Sequence, residues 1–353
     1  MIKPGPRNLI TDVDGINIGN AADAAARTGV TVVLPDGGAV ASADVRGGAP
    51  GTREMELLDP TCMVERIDAI CLSGGSVHGL AASDAVVGWL HERDRGFSLG
   101  SWHLPIVPGA IIFDLGMCGA GNKGRYPGYG DLARMACDDA GPDFALGNIG
   151  AGMGATAGGL KGGLGSASAI GDNGLQVAAL VVANSVGEVV MPGGGTLWSW
   201  DLEQNNEMGG QRPPGARPES GSGTGAGILD DLPGDAQAGG NTPLAVVATN
   251  ATLDKAQAQR VALMAHDGMA RAIRPVHTPF DGDTVFALST SRMALPTTAA
   301  MSPAMSVGRI GVIAADCLAR AVGRAVYAAE PLGAASSYRQ RHPEAFADGA
   351  KTG

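Results

Sequence analysis

The sequence predicts an α/β protein built as a sandwich of layered sheets with helices outside. Three observations carry this. Six apolar, β-branched-rich runs are bounded by Gly, Pro, Asp or Asn, and several stay apolar along their whole length, as strands covered on both faces do. Long segments with apolar residues three and four apart lie between or after them. One polar stretch alone breaks the composition. In chain order the strands are expected at Val30 to Leu34, Ala69 to Leu72, Ile106 to Phe113, Val177 to Ala183, Leu244 to Thr249 and Val285 to Thr290. A helix is expected from Val77 to Arg93. A second runs from Lys255 to Ile273, with Asp254 and Gln257 as a capping pair and Val261, Met264, Ala265, Gly268 and Ala272 on one face. The third, Ser306 to Ala328, repeats the spacing with Ile310, Ile313, Ala314, Cys317 and Ala321.

Composition narrows the function. The chain has 353 residues, 17% charged and 44% apolar, with a net charge of -10 and no Lys/Arg block. That balance argues for a globular protein and against nucleic acid or an anionic membrane as partner. The five cysteines, Cys62, Cys71, Cys118, Cys137 and Cys317, form no C-x-x-C pair and suggest reduced thiols rather than a disulfide or zinc framework. The start, MIKPGPRNLITDVDG, has no apolar leader core, and no apolar run reaches the ~18 residues of a spanning helix, so a cytoplasmic protein is expected. Glycine is the outlier at 56 residues, clustered in LSGGSVHGLAASD, GNIGAGMGATAGGLKGGLGSASAIG and MPGGGTLW. Such clusters suggest tight turns and close backbone packing around something bound.

The composition break is Glu203 to Gly240, polar and rich in Pro, Gly and Ser, which reads as a flexible linker. It runs into AGGNTPLAVVATN, where the pair Asn241-Thr242 turns abruptly into an apolar strand. A loop meeting a strand explains that junction, and so does a cleavage site.

Two motif matches lack their context. GFSLG around Ser98 fits a nucleophile elbow, but a charged helix end precedes it and Pro105 follows. GAGNKG, Gly119 to Gly124, fits a dinucleotide fingerprint, but Pro127 and Gly128 stand where the helix should open. In GGLKGGLG, Lys161 is followed by glycines rather than Ser or Thr, so a Walker loop is excluded and a lysine on a glycine-lined loop remains. HTPFDGDTVF sets His277, Asp281 and Asp283 before a strand. It reads as an Asp-Gly turn, as a cation site, or as a carboxylate pair that orients an amine.

An N-terminal Thr242 makes these pieces coherent. A free terminal threonine carries its own base, an α-amine with an ordinary pKa of about 7.7–8.0, and needs no histidine. The hydroxyl can release that amine by attacking the Asn241 carbonyl in an N-to-O acyl shift followed by hydrolysis. Gly239-Gly240 gives the backbone the freedom this needs, and Pro243 holds Thr242 extended.

These residues resemble the DmpA-type aminopeptidases, the S58 peptidases, which include β-peptidyl aminopeptidases and the nylon-oligomer hydrolase. The resemblance runs from near residue 8 to about residue 328. It rests on NLITDVDGINIG, TGVTVVLPDGGAVASADVRGGAPGTREMELLDP, DAICLSGGSVHGLAASD, GAGMGATAGGLKGGLGSAS, ALVVANSVGE and GNTPLAVVATN, in that order. It implies an αββα four-layer sandwich of the Ntn-hydrolase kind and a single catalytic domain over 1–353. Self-cleavage would leave chains 1–241 and 242–353, with 203–241 as the linker ending at the cut. It also implies a homo-oligomer, a tetramer of processed protomers, that needs no cofactor or metal.

Residue by residue, the resemblance puts the nucleophile on Thr242, the oxyanion-stabilising asparagine on Asn184 and the active-site lysine on Lys161. Asn241-Thr242 and Asp281-Gly282-Asp283 are similar to the nylon-oligomer hydrolase branch, whose pocket tyrosine falls on Phe113 here. The implied activity is hydrolysis of small peptides or amino-acid amides. Asp283, helped by Asp281, would orient Thr242 and balance Lys161, or bind a substrate ammonium. An N-terminal-threonine acyltransferase and a non-catalytic amine- or peptide-binding protein are the alternatives.

Overall fold

The computed structural model of the chain describes residues 2–117, 127–213, 241–298 and 301–343. Its strands in chain order are β1 (Ile2–Lys3), β2 (Ile16–Asp23), β3 (Thr28–Pro35), β4 (Ala39–Val45), β5 (Thr52–Arg53), β6 (Arg66–Ile67), β7 (Ile70–Ser73), β8 (Phe97–Leu99), β9 (Trp102–Leu104), β10 (Gly109–Ile111), β11 (Thr156–Ala157), β12 (Leu160–Lys161), β13 (Gly163–Gly171), β14 (Gln176–Ala183), β15 (Leu244–Ala251) and β16 (Thr284–Met293). The helices are α1 (Ala81–His91), α2 (Tyr129–Asp138), α3 (Lys255–Ala272), α4 (Pro303–Ala328) and the single turn α5 (Tyr338–Arg341).

Two sheets face each other. The larger runs β1-β13-β14-β15-β16-β4-β6 and the smaller β2-β3-β7-β10-β5. Side-chain alternation along the strands then makes three apolar layers. In β15, Leu244, Val246 and Ala248 point between the sheets, while Ala245 and Val247 point at α3 and α4. In β3, Val33 faces the inter-sheet core, whereas Val30, Val32 and Leu34 face α1 and α2. Helices, sheet, sheet, helices: the expected αββα sandwich is present. Each fully buried Val or Leu contributes about 1.5–3 kcal/mol.

The Asp254–Gln257 capping box opens α3 as the sequence predicts. α4 starts before Ser306, because the Ser302 side chain caps it and Pro303 takes its first turn. The segment expected to be helical from Val77 divides into a 3-10 turn over Ser76–Leu80 and α1 from Ala81. The strand expected over Ile106 to Phe113 pairs only at Gly109–Ile111. Ser98 lies in the exposed β8–β9 hairpin with no helix after it, so the nucleophile elbow is absent. The GAGNKG match lies outside the described residues.

Besides several strands of two or three residues and the single turn α5, the sequence hid β2, β4, α2 and β13. The last is GLGSASAIG, whose glycines let α4 lie directly on the sheet. A Cβ at Gly165 would strike the Ala321 carbonyl, and one at Gly163 would press on the Ala325 carbonyl. Of the compositional linker, residues 203–213 are packed. Met208 is buried in the core under α4, and Glu203 accepts from the Met208 and Gly210 N–H groups. Residues 214–240 lie outside the described residues. Among the described residues no helix is long and apolar enough to cross a membrane.

Candidate active site

Sheet register brings the candidates to one end of the larger sheet. β14 and β15 are antiparallel with Val182 opposite Leu244, so two residues further on Asn184 stands opposite Thr242. Parallel β16 pairs Thr284 with Leu244, and the ladder extends to a bridge between Asn241 and Asp281. Lys161 ends β12, just before β13, the other neighbour of β14.

Thr242 is buried, and its N–H donates to the Asn184 carbonyl at 2.7 Å. Its Oγ1 lies 2.6 Å from the Asn241 carbonyl oxygen. That oxygen also accepts the Gly282 N–H at 3.1 Å. The scissile candidate is thus polarised by a backbone donor while the hydroxyl rests against it. Gly282 itself is forced: a Cβ there would stand 2.7 Å from the Ala49 carbonyl and 2.9 Å from Thr242 Cγ2.

The Asn184 side chain is buried. Its Oδ1 accepts from the Thr156 N–H at 2.9 Å, and its Nδ2 has no hydrogen-bond partner among the described residues. An oxyanion role needs such an open, desolvated donor.

Lys161 is fully buried and gives its ammonium protons to the carbonyls of Gly152 (3.0 Å), Ala155 (2.9 Å) and Gly162 (2.9 Å). Burial pushes it down to about 7, opposed by the negative charge of Asp114. The negative charge that offsets the burial of Lys161 is that of Asp114, not the one expected from Asp283 and Asp281. Asp281 accepts the Thr278 hydroxyl at 2.5 Å and the Val186 N–H at 3.2 Å. Burial raises it above the ordinary carboxylate range, the Thr278 hydroxyl opposes this, and the charge of Asp283 adds to it.

Asp283 Oδ2 accepts from His277 twice, from the backbone N–H at 2.7 Å and from ring Nδ1 at 2.5 Å. His277 can do both because its backbone is left-handed, with φ 59°. Asp283 Oδ1 is buried without a partner among the described residues. Behind His277 stands His266, edge-on at 4.8 Å between ring centroids and driven by burial down to about 3, hence neutral. No group of three or more His, Cys, Asp or Glu side chains among the described residues could hold a metal ion. Phe113 follows β10 on the smaller sheet, 36% exposed, immediately before the buried Asp114.

Sequence reasoning missed the Gly282 N–H, the grip of His277 on Asp283, and Asp114. The first is a backbone group with no side chain to notice. The second depends on a positive φ, and the third on a contact between distant loops.

The fold is a sandwich of the Ntn type, and the family that the sequence matches makes the chain an amide-bond hydrolase. The chain belongs to peptidase family S58, whose model matches residues 8–339. It is 44% identical over 352 residues to a Mycobacterium tuberculosis protein named an uncharacterized aminopeptidase, with 96% of this chain and 99% of that one covered. It is 33% identical over 316 residues to the 6-aminohexanoate-oligomer endohydrolase of a Kocuria species, covering 87% and 81%. The fold is similar to that of a Burkholderia β-aminopeptidase, with a TM-score of 0.70 at 22% identity over 98% of this chain and 95% of the other. It is also similar to the L-aminopeptidase D-Ala-esterase/amidase of Ochrobactrum anthropi, described as a variant of the Ntn hydrolase fold. There the TM-score is 0.67 at 22% identity, covering 94% and 88%.

Proposed function

We propose that the chain cuts itself between Asn241 and Thr242 and then works as an N-terminal-threonine aminopeptidase or amidase on small peptides or amino-acid amides. The observation that carries this is the Thr242 hydroxyl held 2.6 Å from the Asn241 carbonyl oxygen, with the Gly282 N–H on the same oxygen. Attack of Oγ1 on the carbonyl carbon forms a C–O bond and breaks the C–N bond, and the hydroxyl proton passes to the Thr242 nitrogen. Water then hydrolyses the ester. The freed amine starts beside the Asn184 carbonyl that already accepts from that nitrogen.

In turnover the α-amine takes the Oγ1 proton as the hydroxyl attacks the substrate carbonyl and returns it to the leaving amine, and water then hydrolyses the acyl ester to free the acid and restore the Thr242 hydroxyl. Asn184 Nδ2 donates to the oxyanion. Lys161 adds positive charge near the amine and favours its neutral, basic form. Asp283, braced by His277, orients Thr242 or takes the ammonium of the substrate, with Asp281 fixing the turn between them. Phe113 lines the substrate side. The names of the relatives support a substrate with a free amine on a short amide, and the resemblance supports a homo-oligomer of processed protomers acting without a cofactor.

The test compares wild type with Thr242→Ala on amino-acid p-nitroanilides and dipeptides. Wild type should be cut and active, and the variant should stay one chain with turnover down by 10³-fold or more, about 4 kcal/mol of barrier. A variant that is still cut, or still turns over, overturns the reading.

A further inference from the structure

The glycine-rich motif LSGGSVHG, which the proposed mechanism leaves unused, folds around one buried carboxylate. Asp114 is 2% exposed. Its Oδ2 accepts the Thr28 hydroxyl at 2.6 Å and its Oδ1 the Gly75 N–H at 2.7 Å. Gly74 has to be glycine, because a Cβ there would run into Asp114 Oδ2 and Thr28 Oγ1. On its other side the carboxylate lies against Gly154, where a Cβ would stand 2.7 Å from Asp114 Cβ and 2.9 Å from Oδ2. Gly154 belongs to the turn whose Gly152 and Ala155 carbonyls hold the Lys161 ammonium. A thin glycine turn therefore separates a buried anion from a buried cation.

We propose that Asp114 is a positioning residue of the active site: its carboxylate clamps the Gly74–Gly75 and Gly152–Ala155 turns together and so fixes where Lys161 holds its charge. This rests on the reading of Lys161 as a group that acts at Thr242.

Two arginines near these turns point elsewhere. Arg27 donates to the Met117 carbonyl, and Arg341 to the Gly159 carbonyl. Tyr129 packs its ring on Gly75 and sets its hydroxyl 3.4 Å from Thr28 Oγ1. Asp114 is the charge that acts on Lys161, and its burial raises its own proton affinity, against hydrogen bonds from Thr28, the Gly75 N–H and its own backbone N–H and against the Lys161 charge.

Asp114→Asn isolates the charge. The amide can still accept from the Gly75 N–H and donate to Thr28 Oγ1, which is able to accept. Two readouts decide. The titration of Lys161, followed by NMR on protein labelled with ¹³C-lysine, should move to lower pH by about one unit when the nearby anion is removed. In the processed enzyme kcat should fall at least tenfold with KM within twofold of wild type. Thr28→Val and Thr28→Ser keep the charge and serve if Asp114→Asn does not fold: Val should lower kcat and Ser should keep it.

An unmoved Lys161 titration together with wild-type kcat in Asp114→Asn overturns the proposal, as does equal kcat in both Thr28 variants and wild type. Lys161→Met separates the two readings. If it turns over like wild type, the role of Lys161 fails and takes the clamp with it. If it is inactive while Asp114→Asn is not, the assignment of Asp114 alone fails.

Discussion

Lys161 shows how far a single residue departs from what its type suggests. A lysine is ordinarily a solvated surface charge, yet this one has no exposure and three carbonyl acceptors. Its folded-state pKa, lowered by burial from 10.5 to about 7, makes the stability of the chain depend on pH. Below pH 7 the lysine is protonated in both folded and unfolded chains, and the folded chain carries the desolvation cost. Between pH 7 and 10.5 the folded chain sheds the proton while the unfolded chain keeps it, so the unfolded state binds more protons and stability rises with pH. Measured by urea unfolding in an uncut Thr242→Ala background, the lysine chain should gain on Lys161→Met by roughly 1.4 kcal/mol per pH unit at the steepest. A flat difference across that window would contradict the buried, titrating ammonium. Thr242, Asn184 and Lys161 were legible because the acyl chemistry and the motif blocks name them. Asp114 was not, since Thr28, Gly75 and Gly154 come together only in three dimensions.

At the level of elements, legibility followed apolar content. β3, β7, β14, β15 and β16 declare themselves as β-branched runs, and α3 and α4 by their three-and-four spacing. β13 does not, because its side chains were given up for contact: Gly163 and Gly165 let the backbone of α4 approach the sheet. Sequence reading treats such glycines as loop, although here they mark the closest helix-to-strand packing in the site's own sheet. Gly165→Ala would drive a methyl into the Ala321 carbonyl and should destabilise the chain by about 1–3 kcal/mol in chemical unfolding. A change below about 0.5 kcal/mol would mean that α4 can lift off the sheet without loss. The polar segment 203–213 was misjudged for the opposite reason. Its few packing residues, Met208 above all, are spaced too sparsely to give a periodic signal.

For the whole molecule the question is what holds it together if the chain is cut. Cutting at Asn241-Thr242 puts Asn8 and Glu207 on one chain and Arg320 and Arg324 on the other. Arg320, 1% exposed, is bidentate to Glu207 at 2.6 and 2.9 Å and reaches Asn8 at 2.9 Å, while Arg324 approaches Glu207 at 3.5 Å. Burial raises the Glu207 pKa, but the guanidinium of Arg320 outweighs it and leaves the carboxyl below its ordinary value. Glu207→Gln leaves buried guanidinium charge unpaired and should cost about 3–5 kcal/mol. In the cut protein this should read out as easier separation of the two chains, and an unchanged midpoint of unfolding would show that the apolar layers alone hold them.

The proposed activity depends on the cut, and intact mass spectrometry of the purified protein with N-terminal sequencing of any small fragment tests it most directly. The account predicts two chains of about 24 and 11 kDa, the 35.3 kDa total divided in proportion to length, with the smaller beginning Thr-Pro-Leu-Ala. One mass of 35.3 kDa that persists on long incubation, or a fragment with any other first residue, would contradict it.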